Sequence, residues 1–493
     1  MPFKKSATIA IAIGVLAFLI RVYRLDSSPE GLYIDETSIG YNAHSIVETA
    51  RDEHGKFMPL FFEAFGEYKL PVYIYSVALV QLVTGPTDLS VRIPSLFFGV
   101  ASVFVMYLFA REILGQEAPA LLGSFLLAVS PWHFQFSRPG FEASAGLFFT
   151  LVGLFLFFRG LNLRSPFWVS LAIISFTVSL YSYNSTRITV PVMGLALLLL
   201  YFKDFGLKNW IKICLPSLFL AMPFLVFMAS SKGLARARQV SIFYEENVSA
   251  NRFLSNYLQN ISPLYLFKFG DPTIAHWTAH RWGLLYLVEA PFFFLGIYGL
   301  LKRRVKSFFF LVFMFFITLV PPAIAILNPH ALRGILALSV TPFFTSFGFW
   351  TFLKIFRKRH HYLPVVSVFI IIISLSTFSF LKTYHNKYVP DAGWDWQVGI
   401  KKTSERVLAM EQNYDDIYFD LDPRTVPSLW YLKIDPSLYQ KSIDKNHLAK
   451  FHINQNINRA SGLYVGFSPP PQSKLLEYVY YPNGSIASGI WEF

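Results

Sequence analysis

The sequence predicts an all-α polytopic membrane protein of about eleven transmembrane helices, with two interfacial helices in its first outer loop and a small mixed α/β domain outside the membrane at its C-terminus. Three observations predict this. Of 493 residues, 54% are hydrophobic and only 15% charged, and a mean hydropathy of +0.43 is too apolar for a soluble multidomain chain. The basic residues stand in short runs between apolar stretches, as in Lys302-Arg303-Arg304 and Arg357-Lys358-Arg359, which is the placement the positive-inside rule produces. After residue 383 the composition turns polar and nearly balanced in charge. The net charge of +13 is therefore a signal of topology, and nucleic acid is not a partner. The single cysteine, Cys214, excludes an intrachain disulfide and a thiol-rich metal site.

The chain opens with Lys4 and Lys5 ahead of an apolar run over 7–20, with no small-residue cleavage site behind it, so the first segment is an uncleaved span with its amino end inside. Beyond it Ile39, Ala43, Ile46, Val47 and Ala50 recur at helical spacing, with Glu48, Arg51, Asp52 and Glu53 opposite: an amphipathic helix at the interface. The apolar run over 70–84 covers only about 22 Å as a helix, short of a hydrocarbon core of about 30 Å. Parity agrees, because leaving it at the interface puts the basic loops at 159–164, 203–212, 302–306 and 354–359 all inside. The remaining spans fall near 89–110, 118–136, 143–158, 166–183, 188–202, 211–229, 284–301, 307–326, 331–353 and 363–383. The outer face then receives a first long loop, a second over 230–283, and the short turns at 137–142, 183–187 and 328–333. Residues 1–383 form the membrane domain and 384–493 the outer domain, with strands expected at 416–420 and 462–467 and a helix at 396–412.

The first outer loop begins with the adjacent carboxylates Asp35 and Glu36. Asp35 can cap the helix it opens, with Glu36 complementing the dipole; a carboxylate at the rim of a membrane cavity can equally act as a general base. Lys69 precedes Pro71, which suits the first turn of a second helix. A lysine beside a helix N-terminus opposes the dipole; it is either a snorkelling interfacial lysine or a contact to a bound anion. Arg138 and Glu142 flank Pro139-Gly140 at another outer turn, as a salt bridge or as cavity groups. Arg187 and Arg333, the latter after His330, repeat the pattern of a lone cation at an outer span end, where positive-inside statistics disfavour one; together they point to a phosphate. His280, Arg281 and Asp271 mark the second long loop as an acceptor or gating element. His276 and His280 are four apart, but no matching Glu completes a zinc pattern, so no metal site is assigned. There is no Walker lysine motif, dinucleotide fingerprint or Gly-x-Ser-x-Gly. Asn-x-Ser/Thr sequons at Asn184, Asn247, Asn260 and Asn483 all fall outside in this topology.

Asp-Glu opening one interfacial helix, Lys-x-Pro opening the next, and Arg-x-x-x-Glu between the third and fourth spans resemble the GT-C superfamily of polyprenyl-phosphate-dependent glycosyltransferases. The likeness is closest to glycosyltransferase family 39, which includes protein O-mannosyltransferases and lipid A aminoarabinose transferases. It covers roughly residues 7–383 and is most specific over the first 160. The resemblance implies a polyprenyl-phosphate-sugar donor, an extracytoplasmic acceptor, membrane lipid around the site, and a multi-pass cell-membrane enzyme of the cell envelope. It makes Asp35 the base, Glu36 an aid to acceptor positioning and Lys69 the contact to the donor phosphate. Glu142 stands where many members have an aspartate. Arg138, Arg187, Arg333 and His330 join the phosphate group on local physics as well. No cofactor is required by such chemistry, and a divalent metal is compatible with it. The rival class, a lipid-linked saccharide transporter, calls for charges within spans and an inverted repeat; a polytopic glycan ligase calls for more arginine and histidine than an acidic pair.

Overall fold

The computed structural model describes residues 3–245, 250–272, 282–357, 362–421 and 424–493. His276, His280, Arg281 and the Asn247 sequon lie outside the described residues. The chain divides into two compact units: Met1–Tyr23 with Ser95–Thr383, and Arg24–Pro94 with Tyr384–Phe493.

The first unit is helical. Every span expected from the sequence has a helix, and among the described residues seven are long and apolar enough to cross a membrane. Phe3–Val22, Asp88–Leu114, Ala143–Asn162 and Tyr362–Thr383 match expectation closely. The spans expected at 188–202 and 211–229 run as one 43-residue element, Thr186–Met228, broken at Gly206. There φ is 72° and ψ 162°, a conformation that glycine alone adopts readily. The stretch expected at 118–136 divides at Ser130 into Glu117–Val129 and Pro131–Phe136; Pro131 supplies the fixed φ of a new first turn, and the Ser130 hydroxyl accepts from the His133 amide. Pro166–Leu180 and Ala290–Lys302 are shorter than the spans expected there. Without a hydrophobic force between helices in lipid, close packing holds such bundles together. Ala290–Lys302 and Thr341–Arg357 show how: a Cβ on Gly296 would lie 2.0 Å from the Phe344 carbonyl oxygen, and one on Gly348 would lie 1.8 Å from that of Phe292. Each backbone occupies the space that the other's glycine leaves.

The second unit joins the first long loop to the C-terminal domain. Strands β1 (Phe62–Ala64) and β2 (Glu67–Lys69) form a small antiparallel hairpin. A six-stranded mixed sheet follows from β3 (Ile417–Phe419), β4 (His447–Leu448), β5 (Phe451–Ile453), β6 (Leu463–Gly466), β7 (Lys474–Tyr480) and β8 (Ile486–Glu492), in the order β4-β5-β3-β6-β8-β7. β3 runs parallel to β5 and β6, and the other pairs are antiparallel. The strands expected at 416–420 and 462–467 and the helix expected at 396–412 are present, the last as Val398–Met410. The β7–β8 hairpin was not expected, although Asn483-Gly484 between its strands is a strong turn signal.

Ile34–Thr49 is more enclosed than amphipathic spacing implies, with buried residues on most of its faces. The C-terminal domain supplies much of that enclosure. Gln440 Nε2 reaches Ser45 Oγ (2.7 Å), Thr49 Oγ1 (2.9 Å) and the Asp52 carbonyl (3.0 Å), and Tyr431 Oη accepts from the Leu32 amide at 2.7 Å. Pro71–Thr84 is too short to cross a bilayer as a straight helix, as expected, and Leu79, Leu82 and Val83 stand exposed along it.

Candidate active site

The two adjacent carboxylates take opposite directions. Ile34–Thr49 is capped at Tyr33, so Asp35 is in the first turn and is not the cap. Glu36, the third helical residue, reaches back to accept from the Tyr33 amide at 2.9 Å, the acidic half of a capping box. Its other oxygen accepts from Arg92 Nε at 3.2 Å. Arg92 also donates to the carbonyls of Leu25 and Pro29 (2.8 Å each) and of Gly31. Glu36 and Arg92 are essentially without solvent exposure, so this pair fastens the 25–31 loop to the helix start. Glu36 has no surface left with which to meet an acceptor.

Asp35 meets Lys69 instead, Oδ1 to Nζ at 2.5 Å. The lysine side chain is 5% exposed and the aspartate 32%, so the pair sits at a boundary with the carboxylate outward. Lys69 ends β2, one residue before the cap of Pro71–Thr84, and its ammonium lies 5.6 Å from the Phe65 ring centroid. The hairpin turn, with Phe65 and Gly66 both at positive φ, brings that ring back beside the lysine.

A third carboxyl completes the cluster and was read from sequence only as a solvated face. Ile34–Thr49 ends at Ala50 in the left-handed region (φ 54°), which turns the chain inward and buries Asp52 and Glu53. Asp52 accepts from the amides of His54 (3.0 Å) and Lys56 (2.8 Å), closing the turn. Glu53 Oε1 accepts from Asn42 Nδ2 at 3.1 Å, while Oε2 is buried with no hydrogen-bond partner among the described residues. Burial above all, then the charge of Asp52, raises its pKa to about 7, against the Asn42 hydrogen bond and nearby Lys69. The buried Tyr41 hydroxyl nearby is also without a partner.

In the first unit the expected phosphate group separates into roles. Arg138 is fully buried: Nη1 donates to the carbonyls of Arg21 (2.5 Å) and Tyr23 (2.9 Å), and the guanidinium lies over the Phe134 ring. It caps the C-terminal end of Phe3–Val22, where a cation complements both orphan carbonyls and the dipole. The sequence placed Arg138 in the phosphate group; here the hydrogen bonds of its Nη1 go to backbone carbonyls. Asp271 is buried and accepts from the Ala331 amide at 3.0 Å; His330 beside it is buried, its amide donating to Asn260 Oδ1 at 3.3 Å. These two hold the 328–333 turn. Asn260 is buried in the same network, which removes it as a glycosylation sequon. Arg187 lies half-buried over Phe224 and Phe227, at 5.5 and 5.9 Å. Arg333 and Glu142 are half-buried too, and both, with Arg236, act electrostatically on the Tyr183 hydroxyl. Arg236, on the short helix Ala235–Val240, was missed because the basic residues there carried no pattern in the sequence. Among the described residues no three metal-ligating side chains are grouped to hold an ion.

Over residues 69–231, about a third of its length, the chain matches the sequence model of the dolichyl-phosphate-mannose-protein mannosyltransferase family. No curated protein sequence matches it significantly. Among solved structures it is similar to ArnT from Cupriavidus metallidurans bound to undecaprenyl phosphate, with a TM-score of 0.60 at 10% identity over 100% of this chain and 98% of that one. It is also similar to the apo state of the same protein, with a TM-score of 0.57 at 11% identity over 98% and 97% of the two chains. The archaeal oligosaccharyltransferase AglB from Archaeoglobus fulgidus, in complex with an inhibitory peptide and a dolichol-phosphate, matches with a TM-score of 0.55 at 13% identity. That match covers 92% of this chain, which spans 65% of the AglB chain.

Proposed function

We propose that this chain, a GT-C superfamily membrane protein by its fold, is an inverting glycosyltransferase that moves a monosaccharide from a polyprenyl-phosphate donor to an extracytoplasmic acceptor. The observation that carries the reading is the outward-facing Asp35 held by the almost wholly buried Lys69. Asp35 is the base. The acceptor oxygen attacks the anomeric carbon from the face opposite the phosphate, the carbon–oxygen bond breaks with its electron pair leaving on the lipid phosphate, and Asp35 takes the acceptor proton. One displacement inverts the anomeric centre.

Lys69 serves the leaving group. Its ammonium, paired to Asp35, is drawn to an incoming phosphate, and Asp35 then turns to the acceptor. Arg187 and Arg333 are the further cations assigned to the developing phosphate charge, and Glu142 the second acidic group. Glu36 and Arg138, by their burial, are positioning residues. Residues 1–383 are assigned as the membrane catalytic domain and 384–493 as an outer domain, with the amino end cytoplasmic. The chemistry requires no cofactor.

The test is transfer of radiolabelled sugar by the purified protein in lipid, from monosaccharyl- and oligosaccharyl-phosphate polyprenols in parallel. Product from the monosaccharide donors, lost in Asp35→Asn while donor binding persists, is expected. Transfer from oligosaccharide donors alone makes the chain a ligase. Movement of the lipid across liposomes without any product makes it a transporter.

A further inference from the structure

Within the second unit, beside the start of the helix that carries Asp35, lies a cleft of about 230 Å³. Four aromatic side chains line it: Tyr33, Trp394, Phe467 and Tyr481. Trp394 is 72% exposed and Phe467 63%, far more than soluble-facing rings of their size ordinarily are. Trp394 and Tyr481 stand with ring centroids 5.9 Å apart at 51°, forming two walls of a corner. Pro482 packs against Gly393, where a Cβ would lie 3.0 Å from the proline ring, so the Trp394 segment is fixed from behind.

The polar lining is equally specific. Asp395, Gln397 and Arg424 supply a carboxylate, an amide and a guanidinium to the same cleft. Gln397 is 5% exposed, and its side-chain carbonyl oxygen is buried with no hydrogen-bond partner. Its backbone lies in the left-handed region (φ 52°), uncommon for a residue other than glycine or asparagine, immediately before Val398–Met410. Among the described residues no donor reaches this oxygen, so it is able to accept from a ligand hydroxyl.

From this juxtaposition of exposed aromatic rings with a planar polar triad around an unsatisfied amide oxygen, we propose that the cleft is a saccharide-binding subsite for the acceptor. A pyranose has an apolar C–H face and a rim of hydroxyls. The rings take the face; Asp395 and Gln397 accept from hydroxyls, and Arg424 donates to hydroxyl oxygens. A purely apolar occupant would leave the amide oxygen desolvated, and a simple ion would leave Trp394 and Phe467 bare. Tyr33 lines the cleft two residues before Asp35, so a glycan seated there extends along the start of the base's own helix. The assignment of this glycan as acceptor rests on the transferase reading; the binding site itself does not.

The experiment uses the full chain in lipid nanodiscs, without donor. Di- to tetrasaccharides of hexoses and N-acetylhexosamines are titrated by saturation-transfer NMR, with Ser/Thr-rich peptides as the competing class. Donor turnover by the wild type is measured separately. Saturable saccharide binding is expected, weakened about tenfold in Trp394→Ala and in Gln397→Leu. Thermal midpoints of both variants confirm folding, and Trp394 is exposed enough for its removal to leave the core intact. Saccharide binding unchanged in both folded variants, binding of peptides instead, or no binding at all overturns the subsite. Turnover without saccharide binding rejects the subsite and leaves the transferase standing. Binding without turnover of any donor rejects the transferase and leaves the subsite.

Discussion

Asp35 and Glu36 are neighbours in sequence, both acidic, each paired with one cation, and their surroundings make them different instruments. Glu36 and Arg92 are sealed, and every remaining donor of the arginine that the structure shows goes to a backbone carbonyl. Asp35 and Lys69 are joined at one oxygen, with the aspartate a third exposed. A sealed pair with all its hydrogen bonds made holds a geometry, because parting it strands a buried charge. A pair at a boundary can exchange one partner for a ligand at small cost. The contrast separates two neighbouring carboxylates by burial, not by charge: one is sealed inside, the other a third exposed.

The comparison breaks most visibly at Asp35. Asp35→Asn is expected to lower kcat by about 10³-fold, with a thermal midpoint lowered less than by Glu36→Gln, since loss of a general base removes two to four orders of magnitude. Comparable turnover in the variant would make Asp35 a structural partner like its neighbour. Glu36→Gln should do the reverse: it strands the buried Arg92 charge and destabilises by about 3 kcal/mol, read as a lower midpoint in denaturant. Adding Arg92→Met should recover part of that loss; a strictly additive double mutant would show the pair to be uncoupled.

Glu53 sharpens the contrast, as a buried carboxyl hydrogen-bonded to Asn42, with the His54 ring 3.8 Å from it. Its folded pKa of about 7 stands above the ordinary 4.5, so the folded chain keeps a proton that the unfolded chain has released between those values. Its contribution to stability is therefore complete below about pH 4.5 and is lost as pH rises through about 7, a change on the order of 3 kcal/mol. Glu53→Gln should flatten stability against pH across that window and leave the variant the more stable at pH 8. A parallel pH profile in wild type and variant would place the titration elsewhere. The smallest effect is expected from Lys69→Met, with KM for the donor rising about tenfold, the size of one charge-assisted hydrogen bond. A change in kcat alone would mean that the lysine serves Asp35 and never the donor phosphate.

What was legible in the sequence followed from patterns that survive without tertiary contacts. Apolar length marked out the helices, and the short run before Gly85, read as interfacial, is a 14-residue apolar helix. Asp35 and Lys69 were found because each breaks a local rule, an acid beside an apolar span and a cation beside a helix N-terminus. Arg92 escaped because it lies within an apolar window taken whole as a span, although an arginine there asks for a partner. Glu53 was misread because helical spacing was continued past Ala50, where the backbone has already left the helix. The capping contacts of Arg138 were not legible: the orphan carbonyls it serves belong to a helix end 115 to 118 residues earlier, which no spacing rule can reach.

The web around Arg92 also sets an order of events during synthesis. The carbonyls it gathers, at Leu25, Pro29 and Gly31, leave the ribosome more than sixty residues ahead of it. The contacts from Tyr431 and Gln440 wait for nearly the whole chain. Gly31 itself packs so near the Trp396 carbonyl that a Cβ there would lie 2.0 Å away. The segment bearing Asp35 thus emerges early and is locked late, so a nascent chain bound for the membrane carries its acid long before it has a working geometry for it.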